Sequence, residues 1–288
     1  MAAWPVEQDV LARAPEELTR GRLRRIGEGV GKVVYASENW VVKRERHPAE
    51  SLALIAVWKA VRGAGRLLPG QWAERALEHP GRGIRLLHHA FHGAAIVIPR
   101  GLWFSTHIGR LWRSHRRQES RGARLAAAHL SGTALVPRRI AFPPTRVKVG
   151  RWPGWMIVSE ATERVEGTLH DKINELARSL RFDEIDVWLE RFLALRQAGW
   201  QRGVFSADAH LKNFGVTADR VVLLDTGALT NRWEQVERRL REEDRLLDPH
   251  ERLGLEGTLR DRPDIAAAFN RRWRECVNPE AVRGHWPA

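Results

Sequence analysis

Ser206-Ala-Asp-Ala-His-Leu-Lys-Asn-Phe-Gly215, followed a few residues later by Val221-Val-Leu-Leu-Asp225-Thr-Gly227, decides how this chain is read. A carboxylate, Asp208, and an amide, Asn213, share one loop, and a second carboxylate, Asp225, closes an apolar strand. Such a set can divide the work of phosphoryl transfer. Asp208 accepts or orients the proton of a nucleophile, while Asn213 and Asp225 offer hard oxygen donors to Mg2+. The plainer alternative has Asp208 and Asn213 capping a loop and Asp225 forming a turn.

Two upstream segments fit the same task. Leu23-Arg-Arg-Ile-Gly-Glu-Gly-Val-Gly-Lys-Val-Val-Tyr35 places a glycine turn between two short β-type runs, which predicts a hairpin. Without side chains, Gly27, Gly29 and Gly31 let backbone amides approach phosphate oxygens; taken alone, the turn is an ordinary Gly-rich one. Trp40-Val-Val-Lys43 predicts a further strand, with the Lys43 ammonium able to meet phosphates as a point charge. Glu50 shares a helix face with Leu54 and Trp58, and an inward carboxylate wants a cation, for which Lys43 is the natural candidate. Glu50 can instead serve the helix N-terminus, and Glu45 is a poorer rival for Lys43.

Composition bounds the rest. A chain of 288 residues with 43% hydrophobic residues can bury a substantial core, so wholesale disorder is excluded. One cysteine, Cys276, cannot build an internal disulfide framework, and the expected setting is reducing. No apolar run approaches the roughly 18 to 20 residues of a membrane-spanning helix, and the opening residues lack a basic region followed by an apolar core; a cytoplasmic location is expected. The formal charge of +13 favours nucleic acid, anionic membrane or acidic substrates without choosing among them. Only six of the 48 basic residues are lysine, and Lys32, Lys43 and Lys212 fall within the segments quoted above.

Along the chain, residues 1 to 20 read as polar and helical. Pro48 opens an amphipathic helix with Leu54, Ile55, Trp58 and Val61 at helical spacing. Residues 66 to 135, rich in Arg and Trp, read as mostly helix. Two strands, 135 to 149 and 155 to 160, flank a glycine turn, and a connector covers 161 to 167. Phe182 to Ala198 predicts the clearest helix, with Gly199 just past its end. A loop from 204 to 213, a strand from 221 to 224 and about 60 helical residues complete the reading. His88, His89 and His92 read as a polar helix face rather than a metal site, since no cysteine or second histidine pair accompanies them.

The ordered set Ile26 to Tyr35, Val41-Val-Lys43, the strand ending Ser159-Glu160, Asp208-x-x-x-x-Asn213 and Asp225-Thr-Gly227 resembles the protein kinase-like superfamily over nearly the whole chain. The Asp208, His210, Asn213 form is similar to the small-molecule and atypical bacterial branches, among them aminoglycoside, choline and lipopolysaccharide-core sugar kinases. Asp208 to Gly215 is also similar to the catalytic loop of bacterial toxin-type serine/threonine kinases. The resemblance implies an α+β, two-lobed protein kinase-like fold. Its N-lobe, residues 1–162, would be small and β-rich with an Arg/Trp-rich insertion over about 66–135, and its compact C-lobe, residues 163–288, mostly helical. It implies that Gly27 to Gly31 cover the phosphates of ATP, that Lys43 pairs with the α/β-phosphates and with Glu50, and that the backbone of Glu160, Ala161 and Thr162 binds adenine. Asp208 becomes the catalytic base, Asn213 and Asp225 the Mg2+ ligands, and His210 and Lys212 the support of the loop. The pattern departs from the family in a glycine loop one residue shorter, in Ser206-Ala207 before the aspartate, and in Thr226 in place of the common Phe.

No Ala-Pro-Glu sequence or long Ser/Thr-bearing segment follows Gly227, which disfavours a protein kinase switched by activation-loop phosphorylation. The expected activity is an ATP-dependent kinase acting on a hydroxyl of a sugar, small molecule or envelope glycolipid. The alternatives are a toxin-like protein serine/threonine kinase, and a non-catalytic pseudokinase or nucleic-acid-binding regulator. The basic stretch 100–124 interleaves Arg with Trp and Leu. It suits contact with an anionic membrane or a phosphate-rich acceptor groove, or equally a solvated Arg face with Trp103 and Trp112 in the core. Nucleic acid is disfavoured as the main partner, since no recognition motif accompanies the charge.

Overall fold

A computed structural model describes residues 9–28, 32–46, 50–51, 107–150, 154–243 and 248–287. In chain order the described elements begin with β1 (Asp9–Val10), α1 (Glu16–Arg20), β2 (Arg22–Glu28), β3 (Lys32–Ala36), β4 (Trp40–Glu45), α2 (His107–Leu130), β5 (Arg139–Val149) and β6 (Trp155–Glu163). They continue with β7 (Gly167–Thr168), α3 (Leu169–Arg178), α4 (Phe182–Trp200), β8 (Phe205–Ser206), a 3-10 turn (Leu211–Asn213), β9 (Phe214–Thr217), β10 (Arg220–Leu223) and β11 (Leu229–Thr230). Four helices follow: α5 (Trp233–Glu243), α6 (Pro249–Arg252), α7 (Pro263–Cys276) and α8 (Pro279–His285). The protein is thus mixed α+β, β-rich toward the N-terminus and helical toward the C-terminus. Among the described residues no helix is long and apolar enough to cross a membrane.

The chain divides into two compact units. One comprises Arg13–Arg117 and Pro143–Ala161. Its β-branched runs, Val33-Val34-Tyr35 and Val41-Val42, form the antiparallel pairs β2–β3 and β3–β4. The strand order β5-β2-β3-β4-β6, with β5 also paired to β6, closes on itself. Leu23, Val33, Val42, Val147 and Val158 fill its interior. The hairpin of the sequence reading is therefore present. Residues 1 to 20, read as helical, are different: among those described, Asp9–Val10 is a strand and the helix is a single turn, Glu16–Arg20. Glu17 is drawn into holding the next turn, accepting from the Asn39 amide N–H groups at 3.1 and 2.7 Å.

The other unit comprises Met1–Ala12, Gln118–Phe142 and Thr162–Ala288. The sequence reading placed 118–142 with the N-terminal part; Leu125, Ala126 and Leu130 instead pack on the helical core, which explains their grouping. Thr168 and Asp171 cap α3 reciprocally, the Asp171 N–H donating to Thr168 Oγ1 at 3.1 Å. Helix α4 buries Ile185, Trp188, Leu189 and Phe192, as its spacing predicts, but runs on through Gly199 to Trp200. Phe192 meets Phe214 edge-to-face with centroids 4.6 Å apart and stacks on Trp273 at 5.8 Å. Removing a ring such as Phe192 from this core costs about 3–5 kcal/mol. Two small sheets, β10-β9-β7 and β11-β8, lie in the same unit. They carry the decisive stretch of sequence.

Candidate functional site

Val221-Val222-Leu223 is buried and pairs antiparallel with β9, Leu223 opposite Phe214. Just beyond that last pair the Asn213 carbonyl accepts from two successive donors, Leu224 N–H at 2.9 Å and Asp225 N–H at 3.3 Å. The β9–β10 ladder therefore delivers Asn213 and Asp225 side by side at one end of the sheet. Asp225 is exposed, and its Oδ1 accepts from Gly227 N–H at 2.8 Å, a local turn that orients the carboxylate.

Asp208 reaches the same end by a second route. Strand β8 pairs with β11, Ser206 opposite Leu229, and the Ala207 N–H donates to the Ala228 carbonyl at 3.0 Å. The carbonyls entering the loop are each gripped: Ser206 by Arg196 Nη1 at 3.3 Å, Ala207 by Arg239 Nη2 at 3.4 Å and Asp208 by Ser206 Oγ at 3.1 Å. Arg196 is a buried cation, its guanidinium 4.9 Å from the Phe205 ring centroid and 5.5 Å from that of Trp273. Asp208 itself is exposed, with Oδ1 accepting from the His210 N–H at 3.1 Å.

Within the loop, His210 Nδ1 accepts from the Lys212 N–H at 3.2 Å and its carbonyl accepts from Asn213 N–H at 2.9 Å. The first bond requires a lone pair on Nδ1, so the brace belongs to the neutral ring. His210 is held below its ordinary range by burial first, then by the Lys212 ammonium and the neighbouring His170. Lys212 thus supports the loop with its backbone and keeps His210 neutral with its charge.

The structure brings Asp208, His210, Lys212, Asn213 and Asp225 into one cluster. Asn213 and Asp225 together offer an amide and a carboxylate, a donor set that fits Mg2+, which takes few protein oxygens and completes its shell with phosphate and water. No group of three or more His, Cys, Asp or Glu side chains suited to a metal occurs among the described residues.

Of the remaining expected site residues, Gly27, Lys43, Glu50, Glu160 and Ala161 belong to the other compact unit. Gly27 sits at a register shift of β2 against β3, where an added Cβ would meet only Val34 at 3.9 Å, so packing there does not demand glycine. Gly29 and Gly31 lie outside the described residues, as do His88, His89 and His92. Lys43 is exposed on β4 opposite Val34. The Glu50 carboxylate, expected to take Lys43, receives both guanidinium nitrogens of Arg44, at 3.2 and 2.9 Å, with Arg46 at 3.7 Å. The reason is the period of two: Val42, Arg44 and Arg46 share one face of the strand and Lys43 the other. Burial works against the Arg44 charge, and the Glu50 carboxylate outweighs it, so Arg44 stands above its ordinary value. Glu160 lies in β6, as the strand over 155 to 160 predicts, and Ala161 and Thr162, expected in a connector, belong to the same strand, which extends to Glu163.

Three site neighbours escaped the sequence reading. Gly122 of α2 lies so near the Asp225-Thr-Gly turn that a Cβ would stand 1.8 Å from the Thr226 carbonyl oxygen. Gly254, at φ +84, would put a Cβ 2.5 Å from His210 Nε2. His170 stands with its ring centroid 5.9 Å from that of His210.

Compared with protein-family models, with curated proteins and with solved structures, the chain matches none of them.

Proposed function

We propose that the protein is an ATP-dependent phosphotransferase of protein kinase-like architecture, acting on a hydroxyl acceptor. The observation that carries this reading is the paired acceptance by the Asn213 carbonyl of the Leu224 and Asp225 N–H groups, which seats the two expected metal ligands together beside the Asp208 loop. A loop-capping role for Asp208 and Asn213 alone would not require Asp225 to arrive at the same place. The separation of a β-rich unit from a mainly helical one supports a two-lobed kinase-like fold, and the roles that the resemblance gives Gly27, Lys43 and Glu160 to Thr162 go with it.

In this reading the acceptor oxygen attacks the γ-phosphorus of ATP, the bond from that phosphorus to the β–γ bridging oxygen breaks, and ADP leaves. Mg2+ bound at Asn213 and Asp225 would neutralise phosphate charge. Asp208, fixed through Oδ1 by the His210 N–H, orients the acceptor hydroxyl and takes its proton. The gripped carbonyls of residues 206 to 208 hold that carboxylate in place, and such positioning is what phosphoryl transfer chiefly requires. A sugar, small molecule or envelope glycolipid is the acceptor class favoured by the branch resemblance.

The test is thermal unfolding of the full chain with and without millimolar Mg-ATP, in wild type and Asp225→Ala. A ligand at about 100 times its dissociation constant adds roughly 2.7 kcal/mol. A Mg2+-dependent rise in Tm that disappears in the variant supports the reading and opens acceptor screening by ADP release. No rise in wild type overturns it.

A further inference from the structure

We propose that Gly254 is a positioning residue for the loop 208–213, its backbone forming the seat against which the His210 imidazole is held. That the loop is catalytic rests on the phosphotransferase reading; that Gly254 seats it rests on contacts of its own.

Gly254 follows the short helix α6 at φ +84, the left-handed backbone of a helix end. Its N–H donates to the Glu251 carbonyl at 2.9 Å, and the Leu255 N–H to the His250 carbonyl at 2.8 Å. Leu253 and Leu255, on either side, are fully buried in the helical core. The His250 N–H donates to Oδ1 of the buried Asn270, on α7, at 3.0 Å. The segment is thus fixed from both sides and cannot draw back from what it touches.

What it touches is His210. A Cβ added at 254 would stand 2.5 Å from His210 Nε2, 2.6 Å from Cε1 and 3.3 Å from Cδ2, so the ring occupies the space of a side chain at that position. The imidazole cannot swing aside freely, because its Nδ1 accepts from the Lys212 N–H at 3.2 Å. One residue earlier, the Leu253 carbonyl accepts from the Leu211 N–H at 3.1 Å. Two successive residues of the segment therefore hold two successive residues of the loop, and the His210 N–H is the donor that fixes Asp208 Oδ1. A helix end by itself asks only for left-handed backbone, which asparagine also supplies. The His210 ring is what excludes every Cβ there.

Amide hydrogen exchange in the full chain reads the seat without nucleotide. Gly254→Asn, which a helix end alone would accept, is expected to speed exchange at Leu211 and Asn213 about tenfold, the size of losing one hydrogen bond, with α4 unchanged. In a His210→Ala background the ring is gone, and the acceleration caused by Gly254→Asn is expected to fall below about threefold. Exchange near wild type in Gly254→Asn, or equal acceleration in the two backgrounds, overturns the proposal. Should Gly254→Asn not fold, folding regained in the double variant supports the contact, and a double variant that also fails to fold overturns it. With Mg-ATP as probe, the maximal rate of ADP formation is expected to fall about tenfold in Gly254→Asn while half-saturation by nucleotide moves less than about twofold; a raised KM with kcat retained counts against positioning. If wild-type protein neither binds Mg-ATP nor forms ADP, the phosphotransferase reading fails, and the exchange comparison alone decides the seat.

Discussion

The backbone carbonyl of Asn213 accepts the N–H of Asp225 at 3.3 Å, so the two side chains leave the main chain from adjoining points although they are twelve positions apart in sequence. The link runs through main-chain atoms and does not depend on either side chain. Scaffold and donor set are therefore separable at this site, which makes each expected ligand open to substitution without dismantling the hairpin.

Asn213→Ala follows from that separation. The β9–β10 ladder and the carbonyl that receives Leu224 and Asp225 are untouched, and the side chain is only half-buried, so Tm without ligand should stay within about 2 °C of wild type. The Mg2+ concentration giving half of the Mg-ATP-induced rise in Tm should increase about tenfold or more, the equivalent of roughly 1.4 kcal/mol. Asn213→Asp, which keeps a hard oxygen, should recover most of the difference. A Mg2+ requirement unchanged in Asn213→Ala would remove Asn213 from the ligand set.

Gly122→Ala reverses an ordinary expectation. In the interior of an exposed helix the change gains about 1 kcal/mol. Here the new methyl would stand 1.8 Å from the Thr226 carbonyl oxygen and 2.8 Å from its carbon, backbone atoms that cannot rotate away. Overpacking of this kind costs about 1–3 kcal/mol, so calorimetry should show a lower Tm, and the Mg-ATP-induced rise should shrink as the Asp225-Thr-Gly turn is displaced. A raised Tm would mean that α2 does not rest on that turn.

What the sequence made legible was local. The hairpin of β2 and β3 was readable from β-branched residues on either side of glycines, α4 from apolar residues at helical spacing, and the loop from Asp208 to Asn213 from the rarity of such a set of polar groups. What it hid was close approach at long range. Gly122 reads as a weak point in an Arg-rich helix, and only the Thr226 carbonyl explains it. Gly254 and His170 have no local signal because their partner, His210, lies 44 and 40 positions away from them in sequence. Strands β8 and β11, two residues each, are too short to show alternation. Arg44 was within reach: alternation along β4 puts it, and not Lys43, on the face of Arg46.

Acidification should destabilise the loop region. His170 and His210 are both held below the ordinary histidine value of 6.5, by burial first and by the Lys212 ammonium next; Asp171 opposes this at His170 and Asp208 at His210. Between 6.5 and the lower folded values the unfolded chain carries more protons, so stability is complete above about pH 7 and is lost as pH falls through 6.5. The urea midpoint should therefore drop between pH 7.5 and 5.5, and the drop should be smaller in His170→Gln, which has one fewer group to protonate. An identical pH dependence in the variant would exclude His170 from this linkage.

Helix α3 ends in a way that invites stabilisation. The Leu180 N–H donates to the Ala177 carbonyl at 3.1 Å and the Arg181 N–H to the Leu176 carbonyl at 2.9 Å, the paired bonds of a helix end that turns through a left-handed residue. That residue is Leu180, at φ 56, with 77% of its surface exposed. A leucine held there costs roughly 1–2 kcal/mol in contact between Cβ and carbonyl oxygen, and little burial offsets it. Glycine removes the strain but adds about 0.5–1 kcal/mol of unfolded-state entropy. The net expectation for Leu180→Gly is a gain of about 0.5–1 kcal/mol, a rise of roughly 1–4 °C in Tm, with no change in the Mg-ATP-induced shift. A fall in Tm would show that the Leu180 side chain contributes contacts outweighing its backbone strain, and Leu180→Asn, which tolerates the same φ with less entropy lost, would then separate the two terms.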